Sequence, residues 1–66
     1  QSVWNFKTNY QIINVIQIID IQGRIVLENN PRSTEVIIDA NSLPSGIYFS
    51  RIYTSEGTNE IKLIKH

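Results

Sequence analysis

Isoleucine and valine fall in short runs along this chain, and each run is bounded by Gly, Pro, Asn or Asp. That spacing predicts strands joined by turns. Ile12 to Ile19 is the strongest run. Ile16 and Ile18 share one face of it, and Gln17 and Ile19 share the other. Apolar residues on both faces predict a central strand covered on both sides. Asp20-Ile21-Gln22-Gly23 then turns the chain, because Asp accepts a backbone hydrogen bond two residues on and Gly reaches positive φ without strain. Arg24 to Glu28 returns as the second arm of a hairpin, and Asn29-Asn30-Pro31-Arg32-Ser33 forms a loop. Glu35 to Asp39 is a short strand with Val36 and Ile38 on one face. Leu43-Pro44-Ser45-Gly46 suits a type I turn. Ile47 to Thr54 is a strand rich in aromatics, Ser55-Glu56-Gly57-Thr58 a hairpin turn, and Asn59 to Lys65 a final strand. Val3-Trp4-Asn5-Phe6-Lys7 is a weakly alternating sixth candidate.

Composition agrees with this pattern. The chain has 13 Ile and 4 Val against 3 Leu, 1 Ala and no Met. Branching at Cβ disfavours helix and suits a pleated surface. The fold class is therefore all-β, and turn signals about every ten residues point to a sandwich or Greek-key barrel. The faces predict a core of Ile16, Ile18, Val26, Val36, Ile38, Leu43, Tyr48, Ile52 and Leu63. Gly23 is expected at positive φ or in a spot too tight for a side chain, and Gly46 is expected to close the Pro44 turn.

Sixty-six residues make at most one domain. A chain this short hides only about 60% of the surface its unfolded form exposes. With no cysteine, neither a disulfide nor a thiolate metal site can reinforce it. Six basic residues balance six acidic ones, so the basic excess of a nucleic-acid binder is missing. No apolar run approaches the ~20 residues of a membrane-spanning helix. No stretch near the start reads as a signal peptide, which is expected to lie upstream if this is the tail of a longer protein.

The residues offer little for catalysis. A nucleophilic triad needs a base, and the sole histidine is His66, the last residue. Asp20 and Asp39 could pair for acid–base work, but each has a simpler use as a turn former or strand-end cap. Two aspartates without a ligand loop do not make a calcium site, and three glycines form no phosphate loop. No enzyme, metal or cofactor is expected. Trp4, Tyr10 and Tyr53 could form a stacking platform for sugar. Tyr48, just after the Pro-Gly turn, suits a buried ring whose hydroxyl locks a corner. Lys62 and Lys65 either blunt an edge strand against aggregation or belong to a strand that a partner reads.

Three segments in order carry a family resemblance. Ile18-Ile19-Asp20-Ile21-Gln22-Gly23-Arg24, followed by Val26, is the first. Ile38-Asp39, Asn41, Leu43, Gly46, Ile47 and Tyr48 form the second, and Lys62-Leu63-Ile64-Lys65 the third. Over about residues 15–66 the chain resembles the C-terminal sorting domain of the type IX secretion system. The family's opening Pro-Asn-Pro segment and first strand are missing, residues 1–10 match poorly, Ala40 is smaller than the usual aliphatic, and Ser50 stands where an aliphatic is frequent.

The resemblance implies one domain over 1–66, with room for a missing first strand. It would fold as a small antiparallel immunoglobulin-like β-sandwich of about six to seven strands. It implies a non-catalytic address label at the end of a cargo protein. The outer-membrane β-barrel translocon and a barrel-type shuttle protein would recognise the label. A sortase-type cysteine protease would often remove it, and the cargo would be secreted or held at the cell surface. Asp20, Gly23, Arg24, Asp39, Leu43, Gly46 and Tyr48 would then be motif residues of structural use, and Lys62, Leu63, Ile64 and Lys65 the strand the translocon reads. The competing reading is an immunoglobulin-like adhesion or carbohydrate-binding module using Trp4, Tyr10 and Tyr53.

Overall fold

The computed structural model describes residues 3–66. They form six strands: β1 (Val3–Lys7), β2 (Ile13–Asp20), β3 (Ile25–Asn29), β4 (Glu35–Asp39), β5 (Gly46–Thr54) and β6 (Gly57–Lys65). There is no helix among the described residues. Every pairing is antiparallel; β3-β2-β5-β6 make one sheet and β1-β4 the other. Apolar side chains of both sheets meet in one core, giving the small immunoglobulin-like sandwich.

The strongest sequence run becomes β2, inside the larger sheet between β3 and β5. Ile13, Ile16 and Ile18 point inward and are at most 1% exposed. Ile19 points the other way yet is also buried, with Ile25 and Phe49 as its cross-strand partners. The second cover predicted for this strand is found only at Ile19, where neighbouring side chains supply it; Val15 and Gln17 on the same outer face are half-buried.

Ile16, Ile18, Val36, Ile38, Leu43, Tyr48 and Ile52 are buried as expected, while Val26 and Leu63 are only half-buried against the core. Val26 is the extra residue of a bulge, since Ile18 pairs with Leu27 and Ile19 with Ile25. A bulge breaks strict alternation, and both Val26 and Leu27 reach the core. Leu63 lies on β6, at the sheet margin. Phe6, Ile13 and Ala40 join the core beyond expectation. Phe6 does so because the weakly patterned first segment is a true strand, pairing Phe6 with Val36. Ser50 is fully buried opposite Ile18 and Ile61, its hydroxyl 3.5 Å from the Ile61 carbonyl.

Two turns differ from expectation. The hydrogen-bonded turn before β5 is Ala40–Leu43, closed by Leu43 N–H donating to the Ala40 carbonyl at 3.0 Å, and Pro44 follows it. Asp39 sets this earlier position by accepting the Asn41 N–H at 2.9 Å. Gly46 therefore does not close a Pro44 turn; it opens β5 at φ 153° and pairs with Lys65. The second hairpin is also tighter, with Thr54 paired to Gly57 and only Ser55 and Glu56 between them. The Thr54 hydroxyl holds it, accepting from Glu56 N–H at 3.1 Å and donating to the Gly57 carbonyl at 3.3 Å.

Ile18 is 1% exposed at the centre of the core. Ile18→Ala is expected to lower stability by about 2–5 kcal/mol in denaturant titrations. Val26→Ala should cost less, because its side chain is only half removed from water. Gly23 has φ 85°, and the space around its Cα is open, so strain alone opposes a side chain there. Gly23→Ala should therefore destabilise by roughly 1–2 kcal/mol, while Gly23→Asn, which tolerates the left-handed region better, should recover part of the loss.

Candidate functional site

The motif residues assemble into two polar corners at strand ends. The first is built on Asp20. Its Oδ1 accepts the backbone N–H groups of Gln22 at 2.9 Å and Arg24 at 3.0 Å, and its Oδ2 accepts the Arg24 Nε–H at 2.9 Å. The Asp20 carbonyl accepts from Gly23 N–H, and the Asp20 N–H donates to the Arg24 carbonyl. One carboxylate thus closes the β2–β3 turn, with Gly23 supplying the positive φ. The Asp20 side chain is 13% exposed and that of Arg24 72%. The guanidinium stands in water and reaches back to cap the turn, so Arg24 is part of the same device. The Arg24 N–H foremost, then its side chain and the Gln22 N–H, hold the Asp20 carboxyl below its ordinary value of 3.8 against the opposing effect of desolvation.

The second corner joins the two sheets where β4 passes to β5. The buried Tyr48 ring donates its hydroxyl to the Pro44 carbonyl at 2.5 Å, the lock expected of it. Trp4 of β1 tilts against that ring, centroids 5.8 Å apart. Lys65 reaches the same loop from β6. Its ammonium donates to the Ala40 carbonyl at 2.7 Å and to the Leu43 carbonyl. Ser45 Oγ donates to the His66 carbonyl at 3.1 Å. Leu43 seals the core beneath this corner, and Asp39 starts its turn. Sequence reasoning placed Lys65 on the surface strand; its use as an anchor depends on a loop more than twenty residues away, which no local pattern reveals.

The final strand is consequently two-faced. Leu63 and Lys65 pair with Tyr48 and Gly46 and turn toward the core and the loop. Lys62 and Ile64 pair with Phe49 and Ile47 on the outer face, where Ile64 is 53% exposed. Ile64, Ile47, Phe49, Ile19 and Ile25 form the apolar half of that face, with Lys62 beside them. The other half is polar and internally satisfied: Tyr53 donates to Gln17 Oε1 at 3.2 Å, and Arg51 lies 3.6 Å from Glu60. The structure does not bring Trp4, Tyr10 and Tyr53 together. Trp4 packs on the core from the smaller sheet, Tyr53 lies on the outer face of the larger one, and Tyr10 is 91% exposed in the β1–β2 loop.

Asp20 and Asp39 are each occupied by their own turn. Among the described residues no three His, Asp or Glu side chains gather as metal ligands, and no helix is long and apolar enough to cross a membrane. Asp20 gives a pH test. A carboxyl whose folded pKa is depressed contributes stability that is present above its unfolded value and lost as pH falls through the folded one. Asp20→Asn should therefore be less stable than the parent at neutral pH. Their difference should shrink as the pH drops below about 4, read by chemical denaturation at a series of pH values.

The sequence profile of the secretion system C-terminal sorting domain matches residues 1–66. It extends through the first ten residues, which by motif alone matched poorly. No curated protein and no solved structure matches the chain. The ordered motifs, the sandwich they build and the full-length profile match agree: this chain belongs to the family of C-terminal sorting domains that mark proteins for type IX secretion.

Proposed function

We propose that the domain is a non-catalytic label read by the type IX outer-membrane translocon and its shuttle protein while fused behind a cargo, and that the reading surface is the outward side of β6. Lys62 and Ile64 make the contact, together with Ile47 and Phe49 beside them, while Leu63 and Lys65 hold the strand in place. The division of β6 into an anchored and an exposed side supports this reading. A basic residue beside exposed isoleucines on a sheet margin suits a partner that is apolar at its centre and acidic at its rim. The cargo would reach the medium or the cell surface, and a sortase-type cysteine protease would remove the domain after export. None of these steps asks the domain itself for chemistry, in keeping with a family that is in general non-catalytic.

The two sides of β6 make separable predictions. With residues 1–66 fused to a periplasmic reporter in a host carrying the secretion system, Ile64→Asp combined with Lys62→Glu should lower surface or medium yield at least about tenfold, the effect of ~1.4 kcal/mol in recognition. The purified variant should keep the parent's unfolding midpoint. Leu63→Asp should also abolish export, but by unfolding the domain. Normal export of the folded Lys62/Ile64 variant would remove the outward side of β6 from recognition.

A further inference from the structure

Among the described residues β6 pairs with β5 alone, over all nine of its residues and without a register shift, so its other edge is open. The opposite margin of the same sheet, β3, has five residues and a bulge, which twists an edge away from further pairing. Thr54 and Gly57 face each other across a two-residue loop as a hydrogen-bonded pair, and such pairs alternate along the hairpin. The main-chain groups of the odd-numbered residues of β6 therefore point to β5. Those of Thr58, Glu60, Lys62 and Ile64 point to the open side. A long regular edge of this kind is a template for another strand.

The side chains select which strand. Ile61 is the middle residue of β6, opposite the buried Ser50, and is 46% exposed. Glu60 and Lys62 flank it on the outer face. The Glu60 carboxylate lies 3.6 Å from Arg51 with 51% of its side chain still exposed, and Lys62 has no ion-pair partner among the described residues. Directly opposed residues of an antiparallel pair share a face, so two copies related by a two-fold axis place one residue opposite itself. With Glu60 or Lys62 on the axis, like charges would face each other, which is destabilising. With Asn59 or Leu63 there, nearly half of the strand would have no partner. With Ile61 on the axis, Glu60 of each copy faces Lys62 of the other, Ile61 is covered by its own copy, and residues 57–65 match end to end.

We propose that the open edge of β6 binds the same edge of a second copy of this chain, antiparallel about Ile61, so that two four-stranded sheets become one. The assembly closes at two, because the contact is isologous and consumes the edge that makes it. It goes beyond the export reading and stands whether or not the outward side of β6 is read there.

The joined surface is one strand wide, so association is expected at chain concentrations of about 0.1–1 mM. Sedimentation of the 66-residue chain across that range should show monomer passing to dimer. Amide exchange in the same samples should slow with concentration at Thr58, Glu60, Lys62 and Ile64. Lys62→Glu and Glu60→Lys each set like charges opposite one another and should weaken dimerisation at least about tenfold, with unfolding midpoints near the parent's. Glu60→Lys leaves Lys62 and Ile64 in place, so its oligomeric state reports on the pairing and not on export. An equimolar mixture of the two variants, and the chain carrying both changes, should each recover the parent's affinity within about threefold. If either single variant does not fold, the protection pattern of the parent decides. The proposal is overturned by a chain still monomeric at about 1 mM, by a dimer whose added protection lies outside those four residues, or by a mixture that associates no more tightly than its separate variants.

Discussion

The structure depends on burial of one face of β2. Ile13, Ile16 and Ile18 lose essentially all their exposure, and each strand of the smaller sheet has a partner there only because that face exists. A domain of 66 residues without a disulfide has few other sources of stability. Branched side chains suit such a core, because they are stiff before folding and lose little rotamer freedom when they pack. The fully buried Ser50 beside them shows how tight the register is. A small residue sits opposite Ile18, where a larger one would need its neighbours to move.

Polar groups then fix how the chain turns around that core. Asp20, Tyr48 and Lys65 each bond backbone groups that a turn would otherwise leave without partners. The first closes a hairpin, the second fastens the loop before β5, and the third draws the last strand onto the same loop. The three family motifs are therefore one mechanical system. The middle motif supplies carbonyls at Ala40, Leu43 and Pro44, and the last motif supplies the lysine that caps two of them.

The core and corners formed by the described residues set the position of the strand that carries Lys62 and Ile64. Lys65, which on sequence grounds alone was better read as blunting an edge than as touching a partner, instead secures the strand that carries Lys62 and Ile64.

The sequence by itself determined the all-β class, five strands and a weaker sixth, the Asp20–Gly23 turn, and most of the core. These follow from short-range physics: period-two patterning, Cβ branching, and the special backbone freedom of Gly and turn-forming side chain of Asp. The ordered motifs also disclosed the family. Tertiary structure decided what depends on distant partners. It placed the hydrogen-bonded turn at Ala40–Leu43, because the Asp39 carboxylate and Lys65 ammonium settled which backbone groups were used. It brought Phe6 into the core through the β1–β4 pairing, buried Ala40 at the turn that follows β4, and separated Trp4 from Tyr53 onto different faces. It turned Lys65 inward and left Lys62 outward, since a strand's alternation says which residues share a face, and only the packed sheets say which face is covered.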